Sequence, residues 1–374
     1  MFMERLPLKL DDGRKIILND SKIAEEFYDL EFCLENMPFL DNLDFSKKVM
    51  FSHEIKSNNN IEGIIDDIDS IKSVVESKDL VHDSEKKLRI SNLYKGYNYI
   101  LNNTDINKDS LKDLYAILSK DLLETHELKE MGKYYRTETG LILNKGRLDD
   151  SMDVTMDPKF VEDFMDNLIE YVNTNNSFDT KTGYFIKSMI AHFYFVCIHP
   201  YYDINGRTSR TMSMWYLLNN KCYPYIIFNR AIHNEFKGYD ETIRECKYRA
   251  DVTKFIKGML VSVKKEFEKE FVINSISSNI SYNLSTLEYQ TLNYILTMKG
   301  LKTLLDFATH YNFNNDKRKI SDIYSSMIEP LIDKNIINVL RYTDRCYDST
   351  KHNFEFEINP KLIERDERIL KYVK

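Results

Sequence analysis

The chain has 374 residues, of which 43% are hydrophobic and 13% aromatic, which is enough to bury a sizeable core in two or three domains. Asp and Glu outnumber Lys and Arg by 59 to 52, and the net charge of −7 argues against a protein whose main activity is an electrostatic grip on nucleic acid. The five cysteines are scattered without CxxC spacing, which argues against a disulfide framework or a zinc site and favours reduced thiols.

The N-terminal sequence MFMERLPLKLDDGRK carries acidic residues close behind its few apolar ones, unlike a secretory signal peptide. The strongest apolar run, MIAHFYFVCI at 189–198, is too short to span a bilayer. We therefore expect a cytoplasmic protein that has no membrane partner.

The low glycine and proline content and the helical spacing of apolar residues predict a mainly α-helical chain. Amphipathic helices are predicted over 21–50, 84–102, 108–123 and from Pro158 to about Val172. A non-helical interval, GKYYRTETGLILNKGR at 132–147, has the Thr, Leu and Ile content and the Asn-Lys-Gly turn that predict a β-hairpin with a short loop.

Residues 183–198 are apolar on every face of a helix, which predicts a central buried helix. This helix should end at His199, because Pro200 disfavours helical conformation at the residue before it. A new helix is expected near Arg207. The stretch HPYYDINGRTSR at 199–210 is therefore predicted to be a loop that leads into a helix N-terminus.

The domain boundaries are predicted from changes in composition. INSISSNISYNLS at 273–285 is typical of a linker, and Ser285 with Glu288 forms a plausible capping box for the next helix. A helix around 317–334 and two strand-like pieces, IINVLRYT and FEFEI, then resemble a winged-helix module. The predicted division is an N-terminal helical region at 1–85, a helical core at 86–270, a linker at 271–285 and a winged-helix-like α+β domain at 286–374.

Several residues of the polar loop suit phosphate binding. A backbone that enters a helix at Asn205 and Gly206 aims N–H groups outward at the positive end of the helix dipole, and the glycine allows close approach. Arg207 and Arg210 share a helix face and can pair with phosphate oxygens. Asp203 offers a carboxylate oxygen of the kind that Mg²⁺ prefers.

His199, just before the turn, is of the residue type best suited to act as a general base near neutral pH. Each residue also has an ordinary structural explanation: a histidine that ends a helix, an aspartate that forms a turn, and arginines on a solvated face. Found together and in this order, the residues instead predict transfer of a phosphate-containing group from a nucleotide to a hydroxyl.

The loop resembles the signature of the Fic domain family, H-P-F-x-[D/E]-G-N-G-R-x-x-R. It matches at His199, Pro200, Asp203, Asn205, Gly206, Arg207 and Arg210, while Tyr201 replaces the phenylalanine and Ile204 replaces the first glycine. The resemblance covers roughly residues 50–265 and implies a Fic-type helical bundle with a β-hairpin flap.

The resemblance implies a protein adenylyltransferase, which moves AMP from ATP to a Ser, Thr or Tyr hydroxyl of a target protein, or of the enzyme itself, and releases pyrophosphate. His199 would deprotonate the hydroxyl, and Asp203 would hold Mg²⁺ on the phosphates. The implied nucleotide-binding residues are Asn205, Gly206, Arg207 and Arg210. Asn205 and the 205–207 backbone would stabilise developing charge on the α-phosphate, Arg207 would hold the β-phosphate and Arg210 the γ-phosphate. Asn205 and Arg207 join His199 as the implied catalytic residues.

The family also implies a docking flap and an inhibitory helix. Flap residues Thr139, Gly140, Leu141, Ile142 and Leu143 would align an extended target segment by strand addition. The inhibitory pattern of the family, [S/T]-x-x-x-E-[G/N], resembles Asn58-Asn59-Asn60-Ile61-Glu62-Gly63. Glu62 would pair with Arg210 and displace the γ-phosphate. The same stretch also fits a helix C-cap with Gly63 at its end, but its position before the motif favours the inhibitory role.

Other activities stay open. Family members that phosphorylate their targets have Lys at the position of Gly206 and lack the second arginine, so this chain favours AMP transfer. The motif does not decide between AMP and UMP or phosphocholine, nor does it exclude removal of AMP with Glu62 positioning water. From a different class, the C-terminal domain could contact DNA through Lys317-Arg318-Lys319, or contact protein, beside a vestigial Fic core. A homodimer is also open.

Ile204 raises a conformational question. A β-branched residue at positive φ is a costly outlier. We therefore expect Ile204 to have a negative φ, with its side chain directed into the helical core and the anion-binding N–H groups supplied by residues 205–207.

Overall fold

The computed structural model describes residues 3–36, 43–76, 84–124, 131–139, 141–142, 153–174, 180–222, 227–279, 284–298, 302–314, 317–348 and 351–362. This part of the chain is mostly helical with small antiparallel sheets, which confirms the predicted fold class. All five cysteines are free thiols, as predicted. None of the described helices is long and apolar enough to cross a membrane.

The elements follow in this order. A hairpin of β1 (Met3–Lys9) and β2 (Lys15–Asn19) precedes the helices α1 (Ala24–Asn36), α2 (Leu43–Ile61), α3 (Ile68–Glu76), α4 (Glu85–Asn102) and α5 (Lys108–Ser119). The strands β3 (Leu141–Ile142) and β4 (Asp153–Val154) precede α6 (Pro158–Asn173), α7 (Lys181–Ile198), α8 (Asn205–Asn219), α9 (Phe228–Glu235), α10 (Tyr239–Arg249) and α11 (Thr253–Asn279). Then come α12 (Thr286–Thr297), β5 (Lys302–Thr303), α13 (Leu304–Asn314), α14 (Ile320–Ile323), a π-helical turn (Tyr324–Ile328), α15 (Glu329–Asp333), β6 (Ile337–Asp348) and β7 (Lys351–Ile358).

The chain forms two compact units whose limits differ from the predicted division. The first contains Met1–Asn36 and Val74–Lys264, and the second contains Met37–Ser73 and Lys265–Lys374. Helix α2 thus belongs to the second unit and not to a separate N-terminal region. The segment predicted as a linker, 271–285, is helical as far as Asn279, because Val272, Ile273 and Ile276 are fully buried there.

The first unit is built around α7 and α8, which pack against each other, with α6 and α1 against α7 and with α4 and α5 against α8. Phe185, Met189 and Phe193 of α7 are completely buried, which confirms the predicted central helix. Trp215 of α8 is also completely buried, and its indole N–H donates to the Asn103 carbonyl at 2.6 Å. The two helices therefore hold the loop between them in a rigid frame.

The second unit confirms the predicted cap and strands. The Ser285 hydroxyl accepts from the Glu288 N–H at 3.2 Å, and the Glu288 carboxylate accepts from the Ser285 N–H at 2.7 Å, so the capping box of α12 is complete. The strands β5, β7 and β6 form one antiparallel sheet in that order, and Phe354, Phe356 and Ile358 of β7 are buried. The winged-helix assignment stays a prediction.

Candidate active site

The loop from His199 to Ile204 joins the end of α7 to the start of α8. His199 is left-handed, with φ 54°, and its N–H donates to the Phe195 carbonyl at 2.9 Å, which closes the last turn of α7. At the other end, the Ile204 carbonyl accepts from the Thr208 N–H at 2.9 Å, so α8 begins at Asn205, slightly earlier than predicted. The predicted helix, loop and helix are all present.

The prediction of a negative φ at Ile204 is wrong, because this residue has φ 64° and ψ 14°. The chain must reverse between two packed helices within a few residues, and a left-handed N-cap residue makes that turn. Its side chain is 3% exposed, as expected for a side chain directed into the protein interior. Burial of an isoleucine stabilises by about 1.5–3 kcal/mol, which offsets the roughly 1–2 kcal/mol cost of the left-handed conformation.

Asn205 shapes the loop through its side chain. Its amide nitrogen donates to the Tyr201 carbonyl at 2.9 Å, and its amide oxygen accepts from the Tyr201 N–H, also at 2.9 Å. The side-chain amide of Asn205 is therefore engaged with Tyr201, and the contact of this residue with phosphate stays a prediction, made for its main-chain N–H. Helix geometry leaves the first N–H groups of α8 without an intrahelical acceptor, and the apolar side chain of Ile204 makes no cap bond.

Asp203 is exposed at the start of this turn. One carboxylate oxygen accepts from the Ile204 N–H at 2.6 Å, which fixes the side chain beside the N-terminus of α8. Among the described residues, no cluster of three or more His, Cys, Asp or Glu side chains is arranged to hold a metal. A single exposed carboxylate fits Mg²⁺, because this ion is commonly held by one or two carboxylates together with substrate phosphates.

His199 is half-buried, and its Nδ1 atom is fully buried. Burial, with the charge of Arg136 as the next cause, lowers the pKa of His199 to about 4, although the nearby carboxylate of Asp203 opposes this shift. The imidazole is therefore neutral at physiological pH, which is the protonation state that a general base requires.

Arg207 and Arg210 lie on the first turns of α8, and their side chains are only 4% and 2% exposed. Guanidinium groups pair well with phosphate oxygens, and the N-terminus of a helix adds positive partial charge beside them. Gly206 between Asn205 and Arg207 is half-buried. This part of the loop has the electrostatic character of an anion site.

The flap contains one short strand pair among the described residues. β3 pairs antiparallel with β4, and Ile142 lies opposite Asp153. The predicted Asn-Lys-Gly turn at 144–146 lies outside the described residues, so the short-loop hairpin stays a prediction. Thr139 is exposed just before β3, and Leu141 belongs to that strand. Two predicted flap residues, Gly140 and Leu143, lie outside the described residues.

The sequence interpretation missed Arg136 as a site residue. Its Nε donates to the His199 carbonyl at 2.8 Å, and its main-chain N–H donates to the Pro200 carbonyl at 3.0 Å. The sequence did contain a signal for this role: Arg136 is a cation that directly precedes the flap, inside the interval 132–147 that was predicted to be non-helical. Tyr201, which stands in for the signature phenylalanine, stacks on Tyr115 with ring centroids 3.7 Å apart.

Glu62 follows the last residue of α2 in the second unit and is half-buried. The Asn59 carbonyl accepts from the N–H groups of both Glu62 and Ile64 at 3.0 Å, and Gly63 has φ 77°. The C-cap geometry considered from the sequence is therefore present. Asn59 also donates to the Asp66 carboxylate at 2.5 Å, so the segment that carries Glu62 is tied to the residues after it.

Comparison with known proteins agrees with this geometry. The model of the Fic/DOC family matches residues 105–217, which include the whole 199–210 loop. No curated protein matches the chain.

Several solved structures are similar to this chain at low sequence identity. A Fic family protein from Desulfovibrio desulfuricans G20 has a TM-score of 0.58 and 14% identity, and the match covers 89% of this chain and 95% of that one. Fic-1 from C. elegans has a TM-score of 0.48 and 14% identity over 68% and 71% of the two chains. A Fic domain containing signaling protein from Bacteroides thetaiotaomicron VPI-5482 has a TM-score of 0.45 and 13% identity over 65% and 96%.

Proposed function

We propose that this protein transfers AMP from ATP to a hydroxyl side chain of a protein. The chain carries a Fic domain, and the Fic family supports nucleotidyl transfer in general. The observation that carries this proposal is one segment, 199–210, that combines a neutral, half-buried histidine with a helix N-terminus and two buried arginines on the first turns of that helix. Gly206 and Arg210 favour transfer of AMP over phosphorylation, on the resemblance described above.

The proposed reaction uses His199 as the base. The acceptor hydroxyl gives its proton to the imidazole, at Nε2 because Nδ1 is buried, while its oxygen bonds to the α-phosphorus. The bond from the α-phosphorus to the oxygen that bridges to the β-phosphate breaks, and pyrophosphate leaves. The N–H groups at the start of α8 and the guanidinium of Arg207 stabilise the charge that develops on the phosphate oxygens.

Asp203 is the proposed residue for Mg²⁺. When bound, this ion supplies positive charge against the phosphates of the nucleotide. The Asp203 carboxylate, held by the Ile204 N–H, would keep that charge at the N-terminus of α8.

We also propose that Glu62 inhibits the enzyme by pairing with Arg210, which would deny the γ-phosphate its guanidinium partner. The support is the resemblance of residues 58–63 to the inhibitory pattern and the burial of Arg210. The exposed position of Thr139 supports docking of an extended target segment at the flap, with this protein itself as one candidate target.

The test is intact mass spectrometry of the Glu62→Gly protein incubated with Mg²⁺ and, separately, each of the four common nucleoside triphosphates. We expect a mass gain of one adenylyl group with ATP, larger than in the unmodified protein. A matched variant, Glu62→Gly with His199→Ala, should gain nothing, because the base is lost.

A different added mass would identify another transferred group and exclude AMP transfer. Equal labelling of the Glu62→Gly and double variants would exclude His199 as the base. No mass gain with any nucleotide, in the presence or absence of added proteins, would remove the proposed activity.

A further inference from the structure

Arg136 is buried, at 4% exposure, between the candidate base and the flap. Its side chain makes three hydrogen bonds, all to main-chain carbonyls. Nε donates to His199 at 2.8 Å, Nη1 to Glu138 at 2.8 Å and Nη2 to Met156 at 2.6 Å. Its own N–H donates to the Pro200 carbonyl at 3.0 Å.

These four bonds connect three separate segments of the chain. His199 and Pro200 start the catalytic loop, Glu138 comes shortly before β3, and Met156 comes directly after β4. Arg136 therefore holds both ends of the flap against the residue proposed as the base.

An arginine suits this arrangement better than a lysine because of the geometry of its donors. The guanidinium presents five N–H groups in a fixed plane, whereas the lysine ammonium is a single point with three donors. Burial also lowers the pKa of Arg136, so keeping a cation here has a cost in desolvation that a neutral residue would avoid. A buried cation that costs free energy of desolvation is expected where the fixed geometry of its hydrogen bonds has a function.

The His199 carbonyl has a particular need for this partner. It lies at the end of α7, where the last carbonyls of a helix have no intrahelical donor, and His199 itself is left-handed. Without Arg136 this carbonyl would lose its donor, and the backbone that sets the direction of the imidazole would lose a support.

We propose that Arg136 is a positioning residue that couples the base His199 to the flap, so that an acceptor hydroxyl aligned on the flap meets the imidazole at bonding distance. This inference rests on the proposed transfer at His199. A displacement of about 1 Å at a reacting centre reduces a rate on the order of 10²-fold, so a link between base and flap has a large effect on rate.

The test compares Arg136→Gln and Arg136→Lys in the 374-residue Glu62→Gly protein. Lys133→Gln is the matched control, because it removes an exposed cation from the same turn without touching His199. Three quantities are measured: affinity for a non-hydrolysable ATP analogue by calorimetry, the rate of self-modification by intact mass, and the rate of AMP release to water in the same reaction.

We expect Arg136→Gln to reduce self-modification by about 10²-fold while affinity for the analogue changes by less than about twofold. Release of AMP to water needs no acceptor on the flap, so the ratio of protein modification to AMP release should fall. Arg136→Lys should recover part of the rate, and Lys133→Gln should match its parent.

An unchanged ratio in Arg136→Gln, or a loss of transfer that only follows a loss of nucleotide affinity, would overturn the coupling role. If Arg136→Gln does not fold, the ratio of protein modification to AMP release is measured in Arg136→Lys instead. A ratio equal to that of the parent protein would overturn the coupling role. A parent protein that neither modifies itself nor releases AMP would instead remove the proposed function, and the coupling role with it.

Discussion

Ile204 contributes to stability in two opposite ways, through its backbone conformation and through burial of its side chain. Its left-handed φ of 64° costs about 1–2 kcal/mol for a residue with a Cβ atom, and its burial at 3% exposure contributes about 1.5–3 kcal/mol. Glycine at this position, as in the family signature, would remove the first effect and the second together. The isoleucine therefore keeps the loop conformation and adds a buried contact to it.

A pair of substitutions separates these two effects. Ile204→Ala loses the burial but keeps the conformational cost, whereas Ile204→Gly loses both. We expect both variants to be less stable than the unmodified protein, and the glycine variant to be more stable than the alanine variant by about 1 kcal/mol. Urea unfolding measures this order, which is the reverse of the usual preference for alanine. An alanine variant as stable as the glycine variant would show that the position is not left-handed in solution.

The low pKa of His199 predicts the pH dependence of transfer. A lowered pKa keeps the base neutral at all pH values above about 4, and the base form is lost only as pH falls through that value. We therefore expect kcat at saturating nucleotide to stay level from about pH 8 to about pH 5.5, where an unperturbed histidine would already be mostly protonated. The Glu62→Gly protein allows the measurement. A rate that halves near pH 6.5 would show that His199 is exposed to water in the working enzyme.

At the scale of elements, α11 contacts the loop after α9 through a glycine. A Cβ atom on Gly258 would lie 2.4 Å from the Phe236 ring, too close for any real contact. Alanine is favoured over glycine inside a helix by about 1 kcal/mol, but overpacking costs about 1–3 kcal/mol. Because the crowded atoms belong to a ring held among Tyr239 and Phe255, the second effect should prevail.

We expect Gly258→Ala to lower the free energy of unfolding by about 1 kcal/mol, and by no more than about 2 kcal/mol. In a Phe236→Leu background, which makes room for the added methyl group, the same substitution should be neutral or stabilising. A double-mutant cycle by urea unfolding measures the difference. Equal effects of Gly258→Ala in both backgrounds would rule out the contact with Phe236 as the cause.

Elements with a strong local signal were predictable. Apolar periodicity identified α5 and α7, and a short pattern of Ser285 and Glu288 identified the start of α12. The predicted linker was wrong as far as Asn279, because polar composition suggested a break at 273–285 whereas packing of Ile273 and Ile276 extends the helix.

At the scale of the whole molecule, net charge and ion pairing bear on the alternative of DNA binding. Arg318, the central residue of the basic stretch, donates to the Asp67 carboxylate at 3.0 Å, and its N–H donates to the Asn312 side chain at 2.9 Å. Its guanidinium is thus engaged within the second unit. Lys317 and Lys319 are exposed, but two lysines on a chain with net charge −7 provide few phosphate contacts.

We therefore expect the 374-residue protein to bind a labelled DNA duplex no more tightly than about 10⁻⁵ M at physiological salt, in the range of non-specific binding. Fluorescence anisotropy across a salt series measures both the affinity and its salt dependence. Nanomolar binding that is lost in a variant with Lys317→Gln and Lys319→Gln would instead support the C-terminal domain as a DNA-binding module.

The sequence by itself determined the helical class and the match of residues 199–210 to the family signature, because both depend on residues close together in the chain. Tertiary structure alone decided three other features: the left-handed Ile204, the bond from Arg136 to the His199 carbonyl, and the membership of α2 in the second unit. Each of these depends on packing between segments far apart in sequence, as between positions 136 and 199, and local periodicity contains no information about such partners.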